Sequence, residues 1–164
     1  MNKNIIGPLI AIVLLGGVIW IARPNSQNSP ASLLSNSSGL LSAEEKEFNF
    51  GEISMANGNV KHEFKIKNAG NNPIVIEKIY TSCMCTTAAL MTDSKQFGPY
   101  GMPGHGFIPK INAAIDPAKE ATVEIVFNPA AHGPAGVGRI QRTITIENNA
   151  GQSLELEFAA LVTP

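Results

Sequence analysis

Residues 60–67, V-K-H-E-F-K-I-K, decide the fold. Val60, His62, Phe64 and Ile66 alternate with Lys61, Glu63, Lys65 and Lys67. A period of two puts the first set on one face of a sheet and the charges on the other, as in a half-buried antiparallel strand. The same alternation recurs in Ala121, Val123, Ile125 and Phe127 against Thr122 and Glu124, and in Leu154, Leu156 and Phe158 against Glu155 and Glu157. Ile140, Ile144 and Ile146 mark a further strand whose apolar face Arg142 interrupts. Turn signals separate these runs: Asn57-Gly58, Asn68-Ala69-Gly70 ahead of Pro73, Asp116-Pro117 and Asn149-Ala150-Gly151. No segment after residue 43 carries a helical period. Strands near 46–53, 59–67, 73–81, 120–127, 139–147 and 153–162, with one more around 107–115, predict an all-β, Ig-like antiparallel β-sandwich of six or seven strands.

The N-terminal quarter has a different composition. Residues 5–22 hold 18 residues without a charge, which as a helix rising ~1.5 Å per residue span roughly 27 Å, close to a bilayer core. Trp20 suits the far headgroup region, and Lys3 with the α-amino group stays on the near side. The expectation is an uncleaved single-pass anchor over residues 1–22 with the following domain outside the cytoplasm. A cleaved signal peptide is the rival, but the nearby small-x-small site Ser29-Pro30-Ala31 lies past the apolar run and contains proline. Residues 23–43, rich in serine and asparagine, read as a flexible tether in which Leu33, Leu34, Leu40 and Leu41 are a mild exception. The globular domain is then 44–164.

Charge and cysteine usage exclude several classes. Of 164 residues, 12 are basic and 13 acidic, and beyond residue 43 ten basic residues face all 13 acids. A domain with a net charge of −3 has no electrostatic basis for nucleic-acid binding. Cys83 and Cys85, the only cysteines, cannot staple a long loop. Hydrolase, kinase and dehydrogenase signatures are absent, so no enzymatic activity other than thiol redox is expected.

The run F-N-F-G-E-I (48–53), V-K-H-E-F-K-I-K-N-A-G (60–70), P-I-V-I (73–76), S-C-M-C-T (82–86) and I-V-F (125–127) resembles the bacterial domain of unknown function family 1573. That resemblance covers nearly all of 46–162. It implies a small extracytoplasmic Ig-like domain, similar to the Hydin and major-sperm-protein group, and also implies a histidine at position 62. Met84 stands where the family signature has glycine. Residues 91–118 form a longer insertion than the family's, and Asp116 to Glu120 replace its Pro-Gly-Glu turn.

Soft-ligand chemistry concentrates in the loops. Cys83 and Cys85 share a side in an extended chain, and Met84, Met91, Met102, His105 and His132 follow as donors. A metal set of Cys83, Cys85, His105, His132, Met84 and Met102 suits copper(I), whereas zinc would take Cys83, Cys85, His105 and His132. Alternatively the cysteines are small buried hydrophobes and the methionines core filler. In a third reading Cys83 and Cys85 form a Cys-x-Cys disulfide, a small, labile ring suited to thiol exchange. No lysine or arginine adjoins them in sequence to stabilise a thiolate. His62 belongs to the core rim, and Arg139 and Arg142 to a solvated or edge-protecting strand. The leading expectation is thus a membrane-anchored extracytoplasmic binding or scaffold module holding a soft metal. A thiol redox protein, or a structural domain that pairs with a partner's strand at an exposed edge, are the alternatives.

Overall fold

The structure, a computed structural model, describes residues 40–164. The anchor expected at 1–22 and most of the tether lie outside the described residues. Ten strands follow: β1 (Leu41–Ala43), β2 (Glu47–Ser54), β3 (Val60–Asn68), β4 (Ile74–Thr81), β5 (Thr86–Met91), β6 (Gln96–Tyr100), β7 (Ala113–Ile115), β8 (Glu120–Phe127), β9 (Gly138–Asn148) and β10 (Leu154–Thr163). They form two five-stranded sheets, ordered β1-β3-β8-β5-β6 and β2-β10-β9-β4-β7. The helices among the described residues are single 3₁₀ turns at Met55–Asn57 and Gly133–Gly136, and none is long and apolar enough to cross a membrane.

The alternating residues do what their period dictates. Phe64 and Ile66 of β3 and Val123 and Ile125 of β8 point inward from the first sheet, and Ile144, Ile146, Leu156 and Phe158 from the second. All are at most 1% exposed. Burying each such side chain contributes about 1.5–3 kcal/mol, and together they form the single core between the sheets. His62 sits at its rim, stacked on Phe48 at 3.6 Å between ring centroids, with Nε2 3.1 Å from Glu45 Oε2.

The sandwich departs from the expected one in four respects. It has ten strands rather than six or seven, and it is not wholly antiparallel, because β2 runs parallel to β10 from Glu47↔Glu157 to Ser54↔Thr163. Leu41 to Ala43, expected in the tether, form β1 because Leu41 and Ala43 pack on the core while their backbone pairs with β3. The strand expected at 107–115 shrinks to β7. The 91–118 segment carries Met91 at the end of β5, all of β6 and all of β7. In β5, Ala88, Ala89 and Leu90 are all buried, so it shows no alternation. In β6, a Cβ at Gly98 (φ 105°) would stand 3.0 Å from Ala88 O. Glycine there lets the strand backbones approach, and Pro99 is tolerated because β6 is an edge strand.

Two connections between the sheets meet at one end of the sandwich. After β4, residues 82–85 carry the chain into β5 of the other sheet. After β8, residues 128–137 carry it back to β9. Asn128 N donates to Cys85 O at 2.9 Å, tying the two crossings together.

Candidate functional site

The first crossing is built as a braced turn. Ser82 N donates to Thr143 O at 2.9 Å, and Thr143 N donates to Ser82 Oγ at 2.9 Å. Thr81 Oγ1 lies 3.0 Å from both Cys83 O and Thr86 O, sharing its proton between them, and Thr86 N closes the turn onto Cys83 O at 3.2 Å. Inside it Cys83 and Cys85 are joined as a disulfide, their Cα atoms 5.3 Å apart. The intervening Met84 is 51% exposed, whereas Cys83 is 8% and Cys85 3% exposed.

Each sulfur has its own polar neighbour from the opposite crossing or from β9. His132 Nε2 lies 3.2 Å from Cys83 Sγ. Arg142 Nε donates to Cys85 Sγ at 3.4 Å, while its Nη1 donates to Gln141 O at 2.8 Å and fixes the guanidinium. Thr86 Oγ1 is 3.6 Å from Cys85 Sγ, and Cys85 N donates to Cys83 Sγ at 3.3 Å. His132 opens the 3₁₀ turn at Gly133–Gly136. A Cβ on Gly136 would come within 3.2 Å of His132 Cβ and 3.4 Å of Met55 Cε, so the turn backbone lies close against the base of the His132 side chain, which is otherwise exposed.

Of the donors expected from sequence, the structure brings three together. The ligand atoms of Cys83, Cys85 and His132 lie within 4.8 Å of one another. His105 is exposed on the 101–112 loop and does not join that cluster, so the tetrahedral Cys83, Cys85, His105, His132 set is not assembled. Met102 is half-buried and follows Gly101, whose carbonyl accepts from Thr81 N at 3.1 Å. The Met84 side chain is largely in solvent. Arg142 requires a correction: it does not guard an edge but turns inward, in step with Ile140, Ile144 and Ile146, and reaches Cys85. The interruption of that apolar face was its signal in the sequence. A charge on an inward position needs a partner there, and the partner is a sulfur 57 residues away.

Fold and site together define an Ig-like β-sandwich module carrying a cysteine–histidine–arginine cluster at one end. Residues 41–101 match the family model described as protein of unknown function (DUF1573). The match ends inside the 91–118 segment that the sequence sets apart. No curated protein matches the chain. Among solved structures, a protein of unknown function from Porphyromonas gingivalis W83 is 17% identical with a TM-score of 0.55, over 75% of this chain and 46% of that one. The ASH / PapD-like domain of human CEP192 (PapD-like domain 7) is 13% identical with a TM-score of 0.46, over 77% of this chain and 87% of that one. The chain spans less than half the length of the Porphyromonas protein, and at such identity the likeness concerns the fold alone.

Proposed function

We propose that the domain is a thiol–disulfide exchange module, held by the 5–22 segment on the extracytoplasmic side of a membrane. The observation that carries this reading is the asymmetric dressing of the pair, with His132 at the outer sulfur and the Arg142 guanidinium at the inner one. Exchange proceeds when a thiolate attacks one sulfur and the other leaves as a thiolate. Cys83 is the more exposed of the two and is the sulfur attacked. A client thiolate forms a bond to Cys83 Sγ as the Cys83–Cys85 bond breaks, and the electron pair goes to Cys85 Sγ. There the Arg142 Nε–H and the Thr86 hydroxyl favour the anion over the neutral thiol. A second client thiolate then attacks the client sulfur of the mixed disulfide and releases Cys83, with His132 beside it to hand over a proton. The client dithiol loses two electrons and two protons, and the pair gains them.

The test is the rate at which dithiothreitol reduces the pair in the full chain, read by alkylation and mass spectrometry. A hydrogen bond to a charged group contributes about 1.5–3 kcal/mol. Arg142→Gln should therefore slow reduction by about tenfold or more, and His132→Ala by less. An unchanged rate in Arg142→Gln overturns the asymmetric mechanism, and a pair that resists dithiothreitol in the native protein overturns the exchange reading.

A second reading is favoured by the 4.8 Å clustering of Cys83, Cys85 and His132. Once reduced, two thiolates and an imidazole suit copper(I). Zinc fits less well because His105 is not placed as a fourth ligand. In this reading the reduced full chain takes about one copper(I) from a chromogenic chelator. Cys83→Ser with Cys85→Ser abolishes that uptake and His132→Ala weakens it; retention of full affinity by the double variant excludes the site.

A further inference from the structure

We infer that the module recognises its client as an extended, acidic, thiol-bearing protein segment, which adds as a strand to the open edge of β9 at residues 139–141, beside the disulfide. This rests on the exchange reading and supplies its substrate class. The edge follows from the register. β10 pairs with β9 along its length, from Gly138↔Val162 to Ile146↔Leu154. On the other side β4 accompanies β9 only as far as Thr81↔Ile144, and then leaves for the other sheet through the cysteine turn. The last bonds on that side are those of Thr143, whose N–H and C=O both face Ser82.

Strand polarity alternates by two, so the N–H and C=O of Gln141 and Arg139 face the same way as those of Thr143. Glu157, opposite Thr143, sends its N–H the other way, to Lys46 O at 2.7 Å, so the odd-numbered residues of β9 are not spent on β10. Among the described residues no backbone group pairs with Gln141 or Arg139 on this edge. Only the Arg142 side chain reaches it, at Gln141 O. Both residues are exposed. The open stretch is as long as β1, which pairs over three residues in this fold.

Charge and position select the occupant. Arg139 is exposed at this edge and has no carboxylate partner among the described residues, whereas Arg142 turns inward to Cys85. An acidic segment complements Arg139. A strand added to β9 continues the line that β4 abandons at Ser82. At about 3.4 Å per residue, a cysteine within roughly two residues of the paired stretch reaches the cysteine turn. Exposed Met84, long and adaptable, offers that segment an apolar contact.

The experiment uses the full chain and three probes: a synthetic peptide of alternating glutamate and valine with one cysteine, its twin with alternate backbone nitrogens methylated, and glutathione. Mixed-disulfide formation at Cys83 is followed by mass spectrometry. The plain peptide should react about tenfold faster than the methylated twin, since strand pairing rests on main-chain hydrogen bonds. Arg139→Pro, which removes an edge N–H and a charge, should abolish that advantage and leave the glutathione rate unchanged. Arg139→Glu, which keeps the N–H, should slow the acidic peptide and speed a lysine-for-glutamate analogue. Equal rates for plain and methylated peptides, with no effect of either variant, overturn edge recognition while glutathione reactivity keeps the exchange reading intact. If no probe, glutathione included, opens the disulfide, the exchange reading fails and this inference with it.

Discussion

The two ends of the sandwich place polar groups at strand ends with opposite chemistry. At one end Asn68 closes β3 and Asn148 closes β9, 0% and 8% exposed. Each folds its side chain into the following turn. Asn68 Oδ1 accepts from Gly70 N at 2.9 Å and its Nδ2 donates to Asn72 O at 2.8 Å. Asn148 Oδ1 accepts from Ala150 N at 2.9 Å and its Nδ2 donates to Gln152 O at 2.8 Å. Asn68 Nδ2 also donates to Ile115 O at 2.8 Å, joining the two sheets. These are neutral amides bonded to backbone, with no group left to react. At the other end the polar atoms are two sulfurs, an imidazole and a guanidinium, which meet one another as well as the chain. The first end specifies where strands stop; the second holds groups whose charge and bonding can change.

That contrast predicts a double dissociation. Asn68→Ala leaves Ile115 O, Asn72 O and Gly70 N without their partner, at about 1–3 kcal/mol for each buried group. Chemical denaturation should show a loss of about 3 kcal/mol or more, with the dithiothreitol rate of the remaining folded protein unchanged. A parallel fall in that rate would mean that the two ends are coupled. Cys83→Ser with Cys85→Ser opens a ring spanning three residues, so little chain entropy is released. A cost of about 1–2 kcal/mol is expected, with complete loss of exchange and of copper(I) uptake; a cost above that of Asn68→Ala would make the pair a structural staple. His62→Ala removes a ring stacked on Phe48 and should cost about 1 kcal/mol without altering copper(I) uptake. Gly136→Ala should have the smallest effect. The new methyl presses on His132 Cβ, and the neighbour must yield by a few tenths of an ångström. A shift of the His132 ring resonances with unchanged stability would support a site held by packing, and unshifted resonances would contradict it.

The period-two pattern of β3, β8 and β10 was legible because one face of each meets solvent, and the strands found there match those read from sequence. β5 was illegible for the converse reason, since three consecutive buried residues erase alternation. β6 was hidden because glycine and proline, at Gly98 and Pro99, carry no strand pattern, whereas at an edge they serve close approach. The pairing of Cys83 and Cys85 was among the alternatives open to sequence, and His132 stood out because a Gly/Pro-rich loop has no core to bury it in. Arg142 was misassigned: four strands and a crossing separate it along the chain from Cys85, and local patterning registers only that a charge faces inward.

The parallel pairing of β2 with β10 sets an order of events during synthesis. Residues that sit side by side in that ladder are 109 or 110 positions apart, and among the described residues β10 alone links β2 to the rest of its sheet. Until β10 has emerged, β2 has no neighbour to dock on, and the aromatic rings of Phe48 and Phe50 remain without their packing against His62 and Phe158. β10 also lies between β2 and β9. A nascent chain that has made β3 to β9 can therefore close the first sheet and join the cysteine turn to its neighbours on β9, while the second sheet still lacks its penultimate strand. The module's chemistry can thus be assembled before its fold is complete, leaving a window in which the sulfurs meet their surroundings from a half-built sandwich.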